Sequence, residues 1–459
     1  MLYKGQWVCY VMCGMREKKG DALGEEYGRW SLLRFAMPTL LMTVCSSCYT
    51  IVDGIFIARY AGAMALSGLN MFWPAWSIEF GLVVMLVMGG SAMIAKNMGE
   101  GRYHLARARF TGLILLLLAL GVLTAVAGNV WCEEIIRALG ASDLQLPYAV
   151  EYARVHFYFG PCLFLQAAAN MFFVTAGRPG LGLASSLAAG ALNMALDYLF
   201  MAALGMGIAG ASLATGIGWV APTLVMAVVF ARRRGTLYFT RPRLGWRALW
   251  RMCTNGVSEM VTHLAVFVNG VLFNLSFMRY AGEAGVAALA IVFFFEYLFT
   301  AVYFGYTTGV SPIISYKYGH GDHRQLRLVS RWNLQTLAVL AALAYAASML
   351  TLPYTLPVFA DRGTEVYALA EHGFVLYATS FLLAWVGIYI SAHFTALSNG
   401  PVSAIISGAR SFVFMVGSIL LLPLALGIDG LWLAVPLAEL LGGALALCCY
   451  YRLRRRYAY

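Results

Sequence analysis

Apolar stretches long enough to cross a lipid bilayer recur along almost the whole of this sequence, from Trp30 to Tyr450. A transmembrane helix needs about 20 predominantly apolar residues. Of the 459 residues, 61% are hydrophobic and only 12% are charged, which is about half the charged fraction of a typical soluble domain. A soluble chain of this composition would have too little polar surface, so the sequence predicts an all-α integral membrane protein.

The apolar pattern predicts twelve membrane-spanning helices. They are expected at residues 30–57, 64–95, 110–130, 149–175, 181–203, 208–230, 252–278, 284–316, 332–356, 366–396, 402–425 and 428–450.

The net charge of +11 is concentrated in alternate connections between these spans. The basic clusters follow spans 2, 6, 8 and 12, and they comprise Lys96, Arg102, Arg107 and Arg109; Arg232, Arg233, Arg234, Arg241, Arg243, Arg247 and Arg251; Lys317, Arg324, Arg327 and Arg331; and Arg452, Arg454, Arg455 and Arg456. Basic residues accumulate in cytoplasmic loops. We therefore expect a multi-pass protein of the plasma membrane (the bacterial inner membrane) with both termini in the cytoplasm, and no nucleic-acid partner.

The sequence also repeats itself at an offset of about 220 residues, which indicates an internal duplication. The RYAG of residues 59–62 recurs at 279–282, and Gly207 begins a GIAG that is matched by GIDG from Gly427. Six spans per repeat is an even number, so the two six-helix lobes are expected to have the same orientation in the membrane. Parallel repeats of this kind usually enclose a substrate cavity near the bilayer midplane.

The repeat divides the chain into five parts. We expect a cytoplasmic N-terminal segment (1–29), an N-terminal lobe (30–230), a basic cytoplasmic interlobe linker (231–251), a C-terminal lobe (252–450) and a basic cytoplasmic tail (451–459). Met15 is a second candidate for the first residue of the chain.

Inserting an ionisable side chain near the bilayer centre costs about 2.5–3.5 kcal/mol of free energy. Asn193 and Asp197 are four residues apart and therefore share one face of span 5. Thr215 in span 6 and Asp53 in span 1 could complete an oxygen cluster with them. Two nearby carboxylates cannot both stay charged at low cost, so one keeps a proton or a cation neutralises them. This predicts a coupling-ion site; an inert hydrogen-bonded pair is the alternative.

The second half has ionisable residues in different places. Glu259 and His263 lie four apart in span 7, where they could form a proton relay or a substrate-facing anion, or a polar helix end that pairs with Arg251. Glu296 follows three phenylalanines, which could create an aromatic site for an organic cation or simply pack against lipid. With Glu79 of span 2, these residues are our candidates for substrate binding.

The chain shows no metal-ligand spacing, nucleophile elbow or phosphate loop in a usable context. We therefore expect neither an enzyme nor a bound cofactor. Cys45 and Cys48 form a CxxC inside span 1, where small packing residues are a better interpretation than a redox motif.

Several short segments form a pattern: AGRP at 176–179, LN at 192–193, LD at 196–197, GMGIAGA at 205–211, VDG at 52–54 with RYAG at 59–62, and ISYKYG at 314–319. Together these segments resemble the multidrug and toxic compound extrusion (MATE) family. Within the last segment, Lys317 stands where asparagine is usual in the family.

This resemblance implies cation-coupled export of mostly cationic, amphipathic compounds, driven by inward flow of sodium or protons. Carried over by position, the coupling-ion network falls on Asp53, Tyr152, Asn170, Asn193, Asp197 and Thr215. Pro38 falls at a helix-1 proline whose kink acts as a hinge in some members, and Glu259 matches an acid of helix 7 in one branch.

The leading hypothesis is therefore a monomeric antiporter in the lipid bilayer that exports small organic cations or other amphipathic compounds by alternating access, with sodium or a proton as coupling ion. The alternative is a flippase for lipid-linked oligosaccharides on a related scaffold. A flippase would favour a cationic cavity for pyrophosphate, whereas the candidate residues in these spans are mostly acids.

Overall fold

The structure is a computed structural model that describes residues 22–459. The first 21 residues of the predicted N-terminal segment 1–29, including Met15, lie outside the described residues. Within the described range the regular structure is entirely helical, which confirms the predicted fold class.

We number the α-helices in chain order. They are α1 (Arg29–Phe56), α2 (Ala63–Gly99), α3 (Tyr103–Val130), α4 (Cys132–Ala138), α5 (Leu146–Tyr158), α6 (Gly160–Thr175), α7 (Pro179–Asp197), α8 (Gly207–Ala231), α9 (Trp246–His320), α10 (His323–Phe359), α11 (Glu365–Tyr377), α12 (Ala384–Ala396), α13 (Gly400–Gly408), α14 (Met415–Leu426) and α15 (Ile428–Tyr457). Single π-helical segments extend three of them: Ile57–Ala61 after α1, Tyr198–Ala203 after α7, and Ala409–Phe414 between α13 and α14.

The membrane spans correspond to the sequence prediction once two irregularities are included. Within the described residues, ten helical segments are long and apolar enough to span a bilayer, and α5 with α6 forms an eleventh that bends by 60°. The 75-residue α9 contains a non-helical residue, Gly282, with φ 61°. Only glycine adopts such a conformation readily, and the break divides α9 into two lengths that can each cross the membrane, which makes twelve spans.

The first compact unit comprises residues 22–72, 90–249 and 308–322 of the described chain. In it α1 packs on α7, α7 packs on α8, and α6 lies against α3 and α8. The linker after α8 is fixed to α3, since Arg107 donates a 2.9 Å hydrogen bond to the carbonyl oxygen of Thr236 and stacks on the ring of Tyr238.

Two glycines allow a close helix crossing inside this unit. A Cβ at Gly99 would overlap the carbonyl oxygen of Tyr316, and a Cβ at Gly319 would overlap that of Lys96. Gly99 and Gly319 are 220 residues apart, so the crossing follows the register of the repeat.

The N-terminal segment is anchored at the same end of α9. Lys317 is only 2% exposed and donates a 3.1 Å hydrogen bond from Nζ to the carbonyl oxygen of Gly24. Leu23 is fully buried, and Tyr27 closes the turn by donating a 2.7 Å hydrogen bond to the carbonyl oxygen of Ala22.

The second compact unit comprises residues 73–89, 250–307 and 323–459. Its apolar core contains Phe277, which contacts Trp432 at a ring-centroid distance of 4.4 Å, and Phe295, which contacts Phe374 at 4.9 Å. The two units do not coincide with the two halves of the chain. Residues 73–89 of α2 come from the first half but belong to the second unit, and residues 308–322 of α9 come from the second half but belong to the first unit. The five-part division of the chain therefore remains a prediction.

Candidate functional site

The first compact unit holds a buried polar cluster at the ends of α1 and α7. Asp197 is the last residue of α7 and is fully buried, and Asn193 lies one turn earlier with 3% exposure. Asp53 lies in the last turn of α1, and Thr215 lies in α8. Because α7 packs against both α1 and α8, three helices contribute to one site.

Hydrogen bonds fix the orientation of two amides in this region. Asn193 donates from Nδ2 to Thr215 Oγ1 over 3.3 Å. Ser186, two turns before Asn193 on α7, donates to Asn170 Oδ1 over 3.1 Å. Asn170 therefore contacts α7, the helix that carries Asn193 and Asp197, through Ser186.

Four buried oxygen atoms of the cluster accept no hydrogen bond from the described residues. They are both carboxylate oxygens of Asp197, one carboxylate oxygen of Asp53 and the amide oxygen of Asn193. A buried acceptor without a partner costs about 1–3 kcal/mol, and more when charged. Oxygen atoms are the ligands of hard cations, so this donor set fits either a bound sodium ion or protons on the carboxylates.

The two aspartates are close enough to repel each other when they are ionised. Tyr152 interacts electrostatically with both of them. Tyr152 is 7% exposed, and its carbonyl oxygen accepts a 3.0 Å hydrogen bond from Ser212 of α8. The structure thus brings five of the six predicted coupling-ion residues into one cluster, with Asn170 at its margin. Their role in ion binding remains a prediction.

Both aspartates precede a π-helical segment. Asp53 lies four residues before Ile57, Asp197 lies directly before Tyr198, and the two π segments contact each other. Single π-helical turns occur frequently at functional sites, since the extra residue changes the direction of side chains without ending the helix.

A small recess adjoins this cluster. Its lining residues come from α1, α6, α7 and α8 and are Ser46, Tyr49, Gln166, Ser186, Ala189, Asn193, Thr215, Gly218 and Trp219. Sequence reasoning missed Tyr49, Gln166 and Trp219. Helical spacing could have found two of them, since Gln166 is four residues before Asn170 and Trp219 is four residues after Thr215.

Pro38 lies inside α1, about two helical turns before the Cys45–Cys48 segment. A proline within a helix removes one backbone hydrogen bond and weakens the helix locally. The structure places Pro38 on the helix that carries Asp53, and its function as a hinge remains a prediction.

The second compact unit holds a separate set of charged side chains. Arg410 donates from Nη1 to Glu439 Oε1 over 2.8 Å, with 8% and 5% of the two residues exposed. Glu259 and Glu296 are half-buried, and both interact electrostatically with Arg410. Sequence reasoning missed Arg410 and Glu439, although the cost of charge inside a membrane applies to them as well.

The other two candidates for substrate binding also lie in this unit. His263 is half-buried and contacts the ring of Phe80 at a centroid distance of 5.1 Å. Glu79, the neighbour of Phe80 in α2, is 7% exposed. Within residues 22–459, no group of three or more His, Cys, Asp or Glu side chains is arranged to hold a metal ion.

A duplicated all-α membrane fold with buried polar clusters is the architecture of secondary transporters. The sequence model of the MatE family matches residues 38–199 and 260–420, which together make up more than half of the chain. The chain therefore belongs to the MatE family, and the resemblance seen in its motifs is confirmed. The two matches begin 222 residues apart (260 − 38) and end 221 apart (420 − 199), which agrees with the internal repeat.

Relatives are similar to this chain over almost their whole length. The multidrug export protein MepA of Staphylococcus haemolyticus is 22% identical over 431 residues, covering 93% of this chain and 94% of MepA. MepA of Staphylococcus aureus strain MSSA476 is also 22% identical with the same coverage.

Solved structures share the fold. An outward-facing multidrug resistance MATE family transporter of the MOP superfamily superposes with a TM-score of 0.88 at 20% identity, covering 95% of this chain and 97% of that one. MATE in its straight conformation gives a TM-score of 0.87 at 21% identity, covering 96% and 97%.

Proposed function

We propose that this protein is an antiporter that exports organic cations or other amphipathic compounds in exchange for sodium or protons. The observation that carries the proposal is the set of four buried oxygen atoms on Asp53, Asn193 and Asp197 that accept no hydrogen bond from residues 22–459. Buried carboxylates without a hydrogen-bond donor or a cation destabilise the folded protein when they are ionised. A bound cation, or protons on the carboxylates, would remove this free-energy cost.

The coupling ion would bind in the first compact unit. Asp197 would contribute both carboxylate oxygens, Asp53 and Asn193 one oxygen each, and Tyr152 would line the site. Thr215 holds the amide of Asn193 so that its oxygen is available. A charge that crosses the membrane potential gains about 2.3 kcal/mol per 100 mV, and ion binding at Asp53 could use this energy to bend α1 near Pro38.

The substrate would be held by acids of the second compact unit. Glu259 and Glu296 are only half-buried, and carboxylates attract organic cations. Glu79 and His263 are further candidates near Phe80, whose ring could contact an aromatic substrate. Alternating access would expose this region to the two sides of the membrane in turn.

The test is efflux of ethidium, a monovalent aromatic cation, from proteoliposomes that contain the purified protein. A sodium gradient and a proton gradient are imposed separately, each with the other ion equal on both sides. Ethidium movement driven by either gradient supports antiport and identifies the ion. Movement at the same rate without any gradient would show a passive pathway, and the proposal would be wrong.

A further inference from the structure

The second compact unit contains a buried arginine that the proposed transport cycle does not use. Arg410 lies in the π-helical segment Ala409–Phe414 and is 8% exposed. Its Nη1 donates to Glu439 Oε1 on α15 over 2.8 Å. A charged residue inside a membrane is costly and usually has a functional reason.

Two glycines create the space for this side chain. A Cβ at Gly387 of α12 would lie 2.6 Å from Cδ of Arg410, and a Cβ at Gly442 of α15 would lie 2.6 Å from its Cγ. These distances are shorter than any normal contact, so no other residue type fits at either position without displacing Arg410. The two glycines therefore leave room for the Arg410 stem, and its guanidinium is held beside Glu439 by the 2.8 Å hydrogen bond.

Arg410 is paired with one acid and acts electrostatically on two more. Glu439 is 5% exposed, and its second carboxylate oxygen accepts no hydrogen bond from the described residues. Glu259 and Glu296 are half-buried and interact electrostatically with Arg410. Arg410 thus neutralises the buried acid and reduces the negative potential at Glu259 and Glu296.

We propose that Arg410 is a specificity-determining residue, a fixed internal cation that limits how many positive charges the second compact unit accepts from a substrate. The inference rests on the proposed function, in which Glu259 and Glu296 bind the cationic ligand. The binding energy of a charge is proportional to the potential at its position. A dication therefore loses up to twice as much binding free energy to Arg410 as a monocation, which favours monocations.

Ethidium and propidium provide a matched pair of probes, since they share the phenanthridinium ring system and carry one and two positive charges. Dissociation constants are measured by dye fluorescence on the purified full-length protein at one fixed ionic strength. The proteins are the wild type, Arg410→Gln, Glu439→Gln and the double variant Arg410→Gln/Glu439→Gln, which keeps the net charge of the wild type.

We expect Arg410→Gln to tighten ethidium binding by about threefold and propidium binding by up to about ninefold, the square of that factor. Glu439→Gln should weaken propidium more than ethidium, and the double variant should restore the wild-type ratio. The Glu439→Gln and double variants decide the matter if Arg410→Gln does not fold. A ratio that is equal in all folded variants would overturn the role of Arg410. Failure of the wild type to bind either dye would overturn the proposed function, and this inference with it.

Discussion

The side-chain amide of Asn193 donates a 3.3 Å hydrogen bond to the hydroxyl of Thr215, and its buried amide oxygen accepts none from the described part of the chain. The hydrogen bond determines which end of the amide faces α8. Since Asp197 lies one turn further along the same helix face, the free oxygen of Asn193 is presented on the same side as the carboxylate of Asp197. The hydrogen bond to Thr215 thereby orients the amide oxygen of Asn193 so that it can accept a hydrogen bond or bind a cation.

Asp197→Asn should nearly abolish ion-driven export, with a loss of at least about tenfold. The amide keeps the shape of the side chain, but it carries no negative charge to attract a cation and cannot bind and release a proton. The measurement is ethidium efflux under the effective gradient, normalised to the amount of inserted protein. Asp143→Asn is a matched control, since the Asp143 side chain is 96% exposed. Wild-type efflux by the Asp197 variant would rule out the coupling role.

Asp53→Asn and Glu259→Gln should have different effects. Asp53 lies in the first compact unit with the proposed ion site, whereas Glu259 lies in the second. We expect Asp53→Asn to remove gradient-driven release while ethidium binding stays measurable, and Glu259→Gln chiefly to weaken ethidium binding, by about three- to tenfold. Paired binding and efflux assays separate the two. Equal losses of binding would mean that ion and substrate share one site.

Thr215→Val should weaken binding of the coupling ion by about three- to tenfold, because it removes the acceptor that orients Asn193. Thr215→Ser keeps the hydroxyl and should stay close to the wild type. The concentration of sodium, or of protons, that gives half-maximal efflux is the quantity to compare. Identical values for the valine and serine variants would contradict the orienting role.

The positive charge of the linker predicts its side of the membrane. In a variant without other cysteines, Arg241→Cys should react with a membrane-impermeant maleimide only after the cells are permeabilised. Arg241 is exposed, so access to the reagent is not limited by packing. Labelling in intact cells would place the linker outside and reverse the predicted orientation.

Lys317→Met should loosen the N-terminal segment, because the buried ammonium no longer holds the carbonyl of Gly24. We expect about tenfold faster chymotrypsin cleavage after Tyr27, which is 5% exposed in the intact protein. Arg456→Met is the control for loss of a basic residue, since Arg456 is exposed. Unchanged cleavage would show that the hydrogen bond from Lys317 does not hold the segment.

The apolar pattern and the repeat were sufficient to predict the helical fold, because twelve bilayer-length stretches leave few alternatives. The helical spacing of Asn193 and Asp197 similarly predicted a shared face. The hydrogen bond from Asn193 to Thr215 required the structure, since it depends on how α7 and α8 are rotated against each other.

Other features could not be obtained from residue spacing. The ion pair of Arg410 and Glu439 joins residues from different helices, and its space depends on Gly387 and Gly442 in two further positions of the chain. The recess beside Trp219 depends on four helices that meet in space. Such contacts arise from tertiary packing, which a periodic pattern in one helix does not encode.

The exchange of helical lengths between the compact units has a consequence for dissecting the protein. Residues 73–89 of the first half complete the second unit, and 308–322 of the second half complete the first. A fragment that ends or begins at the linker would contain one full sequence repeat. It would lack the helical segment that the other half contributes to its compact unit, and the apolar surface that packs on this segment would be exposed. The two halves should therefore regain activity only when they are produced together in one cell, as a split transporter, and neither should fold as an independent module.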